Sequence, residues 1–195
     1  MQIKDLDPFF EKLAKKIKTP IQVYLTGGIA ALYWGGRRPT VDLDFALQSD
    51  ENWDEISKIF MEQGEREKIV LEFSEDISRW GMVGFSDYKK GAKLFKTWGQ
   101  VKVYFLDPII WSVGKMNRYT GDDNADMVAV FKKQNVDPEK AIQIWSQAFL
   151  ESPRSTELGL FKKKVGDFLT HSGPKIWGNS FESNDLIKKF YQLIS

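Results

Sequence analysis

The sequence contains no cysteine and a single histidine, His171. Disulfides and thiolate metal sites are therefore excluded, and a histidine-based zinc site or a Ser-His-Asp triad has almost nothing to be built from. No apolar run approaches the ~18 residues of a membrane span. The opening MQIKDLDPFFEKLAKKI lacks the apolar stretch of a signal peptide, so a cytoplasmic protein with no membrane partner is expected. An excess of either charge is missing too: 28 basic residues face 27 acidic ones, for a net charge of +1. Any nucleic-acid contact would need a local patch rather than a global field. What remains for chemistry is carboxylates, lysine, arginine, hydroxyls and backbone amides.

The chain has 195 residues, enough for one domain or one domain with a helical appendage. Aromatics make up 14% and include seven Trp, so a substantial core is expected and extensive disorder is not.

Phe9, Phe10, Leu13 and Ile17 recur at helical spacing, and Pro20 would end that helix. IQVYL (21–25) reads as a buried strand, Thr26-Gly27-Gly28 as a tight turn, and IAALYW (29–34) as a helix stopped by Gly35-Gly36. VDLDFAL (41–47) is a second strand, followed by a helix over 53–63 capped by Asp50 or Asn52. KIVLEF (68–73) and VKVYFL (101–106) are further strands, and WGMVGF and KLFKTWG short ones around the polar turn SDYKKG. Asp107-Pro108 supplies an N-cap and a first-turn proline for a helix running to about Tyr119. Helices are then expected over 123–134, 138–150, 155–170 and 183–194, with Leu160, Phe161, Val165 and Phe168 facing the core and His171 in a loop. The fold class is α/β (α+β): a small mixed sheet with helices over 1–120, and a helical portion over 121–195 packed on it.

The stretch YLTGGIAALYWGGRRPTVDLDFAL (24–47) carries the chemistry. Glycine lets backbone approach a ligand closely, and a helix N-terminus offers free N–H groups and a positive dipole end to phosphate. In Asp42-Leu43-Asp44 the two carboxylates share one face of a strand. Two neighbouring like charges need a neutralising partner, and Mg2+ takes carboxylate and phosphate oxygens. An apolar strand, a glycine turn and paired acids in this order suit phosphoryl or nucleotidyl transfer. Taken singly, a Gly-Gly is usually just a turn and a D-x-D a solvated strand edge.

This stretch resembles the signature of the DNA polymerase β-like nucleotidyltransferase superfamily. Gly36-x-Arg38-x-Thr40 before Asp42-Leu43-Asp44 is similar to the AbiEii/MenT-like subgroup, some of whose members are toxins of toxin–antitoxin pairs. Lys115 and Arg118, then Asp123-Asn124-Ala125-Asp126, follow in the order seen in that subgroup. The resemblance covers roughly residues 21–130. It implies an enzyme in which Asp42 and Asp44 hold Mg2+ or Mn2+, and Thr26, Gly27 and Gly28 hold the triphosphate of an NTP. Lys115 and Arg118 would meet the nucleotide. Asp126, with Asp123 as the alternative, would complete the pocket by orienting Lys115. Arg38 would touch phosphate or acceptor nucleic acid, or simply lie in water, and Thr40 would simply start the strand. NMP would pass to an RNA 3′ end such as that of tRNA, to a protein or to a small molecule, and a cognate antitoxin is an implied partner.

Many members of the superfamily carry a third carboxylate on a later strand. VKVYFL has none in its interior, where Lys102 and Tyr104 stand; Glu72, at the end of KIVLEF, is a substitute. Loss of that acid leaves a second reading, a catalytically inactive nucleotidyltransferase-fold module that binds nucleotide or protein. Lys89, Lys90, Lys93 and Lys96, interleaved with Tyr88, Phe95 and Trp98, could hold single-stranded nucleic acid, though a solvated turn is favoured.

Overall fold

The apolar content of IQVYL and DLDFAL favours two largely buried strands, and the structure builds its sheet on them. The computed structural model describes residues 1–50, 52–77 and 83–195. These residues form two compact units. The first holds Met1–Tyr33, Arg38–Ile77 and Lys89–Asp107; the second holds Trp34–Arg37, residues 83–88 and Pro108–Ser195.

The first unit contains α1 (Leu6–Ala14), β1 (Ile21–Leu25), α2 (Gly27–Trp34, whose last residue clusters with the second unit), β2 (Asp42–Ser49), α3 (Trp53–Glu67), β3 (Val70–Ser74), β4 (Lys93–Trp98) and β5 (Val101–Phe105). The strands make one five-stranded mixed sheet in the order β3-β2-β1-β5-β4. β1 runs antiparallel to β2, and β2 parallel to β3 across the α3 crossover. This confirms the expected small mixed sheet with helices.

Register assigns each strand residue to a face. Leu43, Phe45 and Leu47 of β2 lie with Val23 and Leu25 of β1, Val103 and Phe105 of β5, and Leu71 and Phe73 of β3. The unit's helices pack on this face: Phe10 of α1 stacks on Trp98, Tyr33 of α2 on Phe105, and Phe60 of α3 meets Phe45 and Phe73. The opposite face carries Asp42, Asp44 and Gln48 of β2, Glu72 of β3, Gln22 and Tyr24 of β1, and Lys102 and Tyr104 of β5. The opposite face is also covered at its centre, where Tyr24, Asp44 and Ala46 are buried.

The second unit is helical: α4 (Pro108–Arg118), α5 (Gly121–Gln134), α6 (Pro138–Glu151), α7 (Thr156–His171), α8 (Gly173–Trp177) and α9 (Ser183–Leu193). Its core gathers Phe131, Trp145, Phe168 and Trp177 edge to face and offset. α4, read from sequence with the sheet, clusters here with the helices that follow it. Among the described residues no helix is long and apolar enough to cross a membrane.

Several local expectations are corrected. α1 stops at Ala14, well short of Pro20, because Lys15 and Lys16 turn out of the helix. α3 runs on to Glu67 and ends where Lys68 adopts a left-handed conformation. Of the strand expected in WGMVGF, residues 80–82 lie outside the described residues; Val83, Gly84 and Phe85 form no strand, although Val83 and Phe85 are buried. Leu160 is exposed rather than core-facing. His171 is the last residue of α7, with Nδ1 3.0 Å from Asp167 Oδ1. Lys93 and Lys96 lie in β4 rather than a solvated turn, and Lys96 pairs with Asp7 of α1 at 2.6 Å.

Candidate active site

β1 delivers the chain to a turn at its C-terminal end. The Thr26 N–H donates to the Asp44 carbonyl at 2.9 Å, and the Thr26 carbonyl accepts from Ala30 N–H at 3.2 Å, opening α2. Gly27 adopts φ +60°, a left-handed conformation that glycine takes without steric cost. A Cβ built on residue 27 would lie 1.6 Å from Oδ2 of Asp44 and 2.8 Å from its Cβ. The glycine is there because the aspartate side chain occupies that space.

Gly28 repeats the arrangement with a different partner. A Cβ there would lie 2.5 Å from Thr40 Oγ1. The Thr40 hydroxyl donates to Asp42 Oδ1 at 2.6 Å. Thr26, Gly27, Gly28 and Asp42 are half-buried, while Asp44 is only 8% exposed. The sequence predicts a glycine turn beside the two aspartates; in the structure Gly27 abuts Asp44, and Gly28 abuts Thr40, whose hydroxyl bonds Asp42. Arg38 is exposed in the segment that leads to β2.

Glu72 stands opposite Asp44 in the parallel β2–β3 register and therefore on the same face of the sheet. It is exposed at the edge of the sheet. On β5, Tyr104 stacks on Tyr24 of β1 with ring centroids 5.1 Å apart. The Tyr24 hydroxyl donates to Gln22 Oε1 at 2.6 Å, and burial, reinforced by Tyr104, pushes its pKa up.

The donor chemistry sets what this face can hold. Among the described residues no three or more His, Cys, Asp or Glu side chains gather closely enough to bind a metal ion alone. A carboxylate pair suits a hard cation that completes its shell with water or phosphate oxygens, as Mg2+ does, and does not suit a fully protein-caged ion. No protein-family model, no curated protein and no solved structure matches the chain.

The remaining candidate residues form a separate cluster in the second unit. Lys115 of α4 is 2% exposed, and its ammonium lies 2.8 Å from Asp126 and 3.1 Å from Asp123, both on α5. Arg118, its side chain 61% exposed, reaches the other way to Asp123 at 2.8 Å. Thr120 caps α5 and also donates its hydroxyl to Asp123 at 2.8 Å. Burial pushes the Asp123 carboxyl up, but donation from Arg118, Thr120 and Lys115 outweighs it and holds the group at about 2. Lys115 and Arg118, expected at the nucleotide, thus meet Asp123 and Asp126, expected as alternatives for orienting Lys115. The expected pairing of Asp126 with Lys115 is present.

Two features lay beyond the sequence. The hydroxyl of Thr40 bonds Asp42 as well as standing just before the strand, a contact that an S/T-x-D spacing permits but does not demand. Glu72 shares a face with Asp44, which only strand order reveals.

Proposed function

We propose that the first unit is the catalytic core of a divalent-metal-dependent nucleotidyltransferase that moves NMP from an NTP to a hydroxyl acceptor. The observation that carries this reading is the contact of the Asp44 carboxylate with the Gly27 turn, with Asp42 on the same face of β2. A helix N-terminus beside a carboxylate pair suits a metal-bound triphosphate.

In this proposal Asp42 and Asp44 hold Mg2+ or Mn2+, which when bound neutralises the triphosphate and polarises its phosphorus–oxygen bonds. The N–H groups at the start of α2 and the Thr26 hydroxyl grip phosphate oxygens. The acceptor hydroxyl attacks the α-phosphorus, an oxygen–phosphorus bond forms, and the bond to the β-phosphate oxygen breaks. Pyrophosphate leaves with the electron pair, and the acceptor proton passes to the Glu72 carboxylate. Glu72 is given the proton rather than the metal because it does not gather with the pair into a three-carboxylate cluster. By the resemblance, the acceptor is an RNA 3′ end or a protein, and the chain is a toxin restrained by an antitoxin.

Thermal denaturation tests the core of this reading. NTP should stabilise the protein only with Mg2+ present, by about 2.7 kcal/mol at a hundredfold excess over Kd. That gain should vanish in the Asp42→Ala/Asp44→Ala variant. Stabilisation indifferent to metal would instead favour a non-catalytic nucleotide-binding module. Incubation with each α-labelled NTP, total RNA and total protein then identifies the acceptor; label entering neither pool counts against transfer to macromolecules.

A further inference from the structure

We infer that Thr40 is a positioning residue that fixes the orientation of the Asp42 carboxylate for metal binding. This rests on the nucleotidyltransferase reading and adds to it a residue that the motif leaves without a task. Thr40 is 8% exposed, although its neighbour Val41 is 83% exposed. A polar side chain just before a strand would ordinarily turn to water; this one is buried. Its hydroxyl is 2.6 Å from Asp42 Oδ1, against 3.3 Å to the Asp42 carbonyl, so the carboxylate is the main acceptor.

The hydroxyl is also held from behind. Gly28 lies so close that any Cβ there would fall 2.5 Å from Thr40 Oγ1 and 2.7 Å from Thr40 Cβ. Threonine is stiff at χ1, so backing it with the α2 backbone leaves it little room to rotate. Gly28, unlike Gly27, does not have a positive φ. Its lack of a side chain is required by this approach alone. A fixed donor on Oδ1 uses one of about four lone-pair sites of the carboxylate and leaves the others for a cation. Partners of this kind orient metal ligands, and their loss typically costs ~10–100-fold in metal affinity.

The test is Mn2+ titration by electron paramagnetic resonance without nucleotide, on the full chain, with Asp42→Asn as the reference for a lost site. Thr40→Val keeps the shape and the β-branch but removes the donor; it should bind Mn2+ ~10–100-fold more weakly. Thr40→Ser keeps the donor and should bind as the wild type does. Circular dichroism checks that each variant folds, and Thr40→Ala replaces Thr40→Val should the latter not. Wild-type Mn2+ affinity in a folded variant without the hydroxyl overturns the role of Thr40 while leaving the site standing. A wild-type protein that binds no Mn2+ overturns the site, and the role of Thr40 with it.

Discussion

The Asp44 carboxylate fills the volume that a side chain on Gly27 would need. Two penalties fall on Gly27→Ala together. The left-handed backbone, φ +60°, costs a non-glycine residue about 1–3 kcal/mol. The new methyl must also displace Asp44, with atoms as close as 1.6 Å. The variant should lose at least that much stability in urea unfolding, and Mg2+-dependent stabilisation by NTP should disappear. Retention of both at wild-type levels would show that the glycine and the aspartate do not meet.

Glu72 tests the proposed proton transfer. It faces the same side as Asp44 from the neighbouring strand and is exposed, so Glu72→Gln should not disturb the core. If the carboxylate accepts the acceptor's proton, kcat should fall about 10²–10⁴-fold while Mg2+-dependent NTP binding persists. Steady-state kinetics alongside thermal shift separates the two effects. Loss of binding together with turnover would move Glu72 into the metal site, and unchanged turnover would remove it from the reaction.

Much of this was legible because each signal sat in one short segment. β1, the glycine turn and β2 announce themselves through alternation and through the only residues able to make the turn. The sheet face shared by Asp42 and Asp44 follows from a two-residue period. Which strand neighbours β2 does not: VKVYFL is the stronger strand, yet the β1 side of β2 and the β3 side are settled by pairing across the whole unit. Glu72 therefore gained its place beside Asp44 only from the register. The five-residue α8 carries too little periodicity to be seen, and the exposure of Leu160 on α7 reverses its apolar pattern through tertiary packing. The partnering of Lys115 with Asp126 was expected from the family resemblance, not from spacing, and its burial was not legible in either.

The ion network of the second unit gives a pH-dependent stability of known sign. Asp123 is held at about 2, below its ordinary 3.8: burial opposes the shift, but donors from Arg118, Thr120 and Lys115 outweigh it. A carboxylate depressed in the folded state binds fewer protons there than when unfolded. Its contribution, about 2 kcal/mol by linkage, is fully present above about pH 4 and is lost as pH falls through about 2. Asp123→Asn removes that contribution at every pH. It also takes one of the two carboxylates from the Lys115 ammonium, 2% exposed, and weakens the cap of α5. Breaking one partner of a buried pair costs about 3–5 kcal/mol. Urea unfolding should therefore separate the variant from wild type widely at pH 7, and the gap should narrow as pH falls towards and through about 2, where the wild type loses the same charge. A gap that does not change with pH would show that the charge on Asp123 does not hold Lys115 in place.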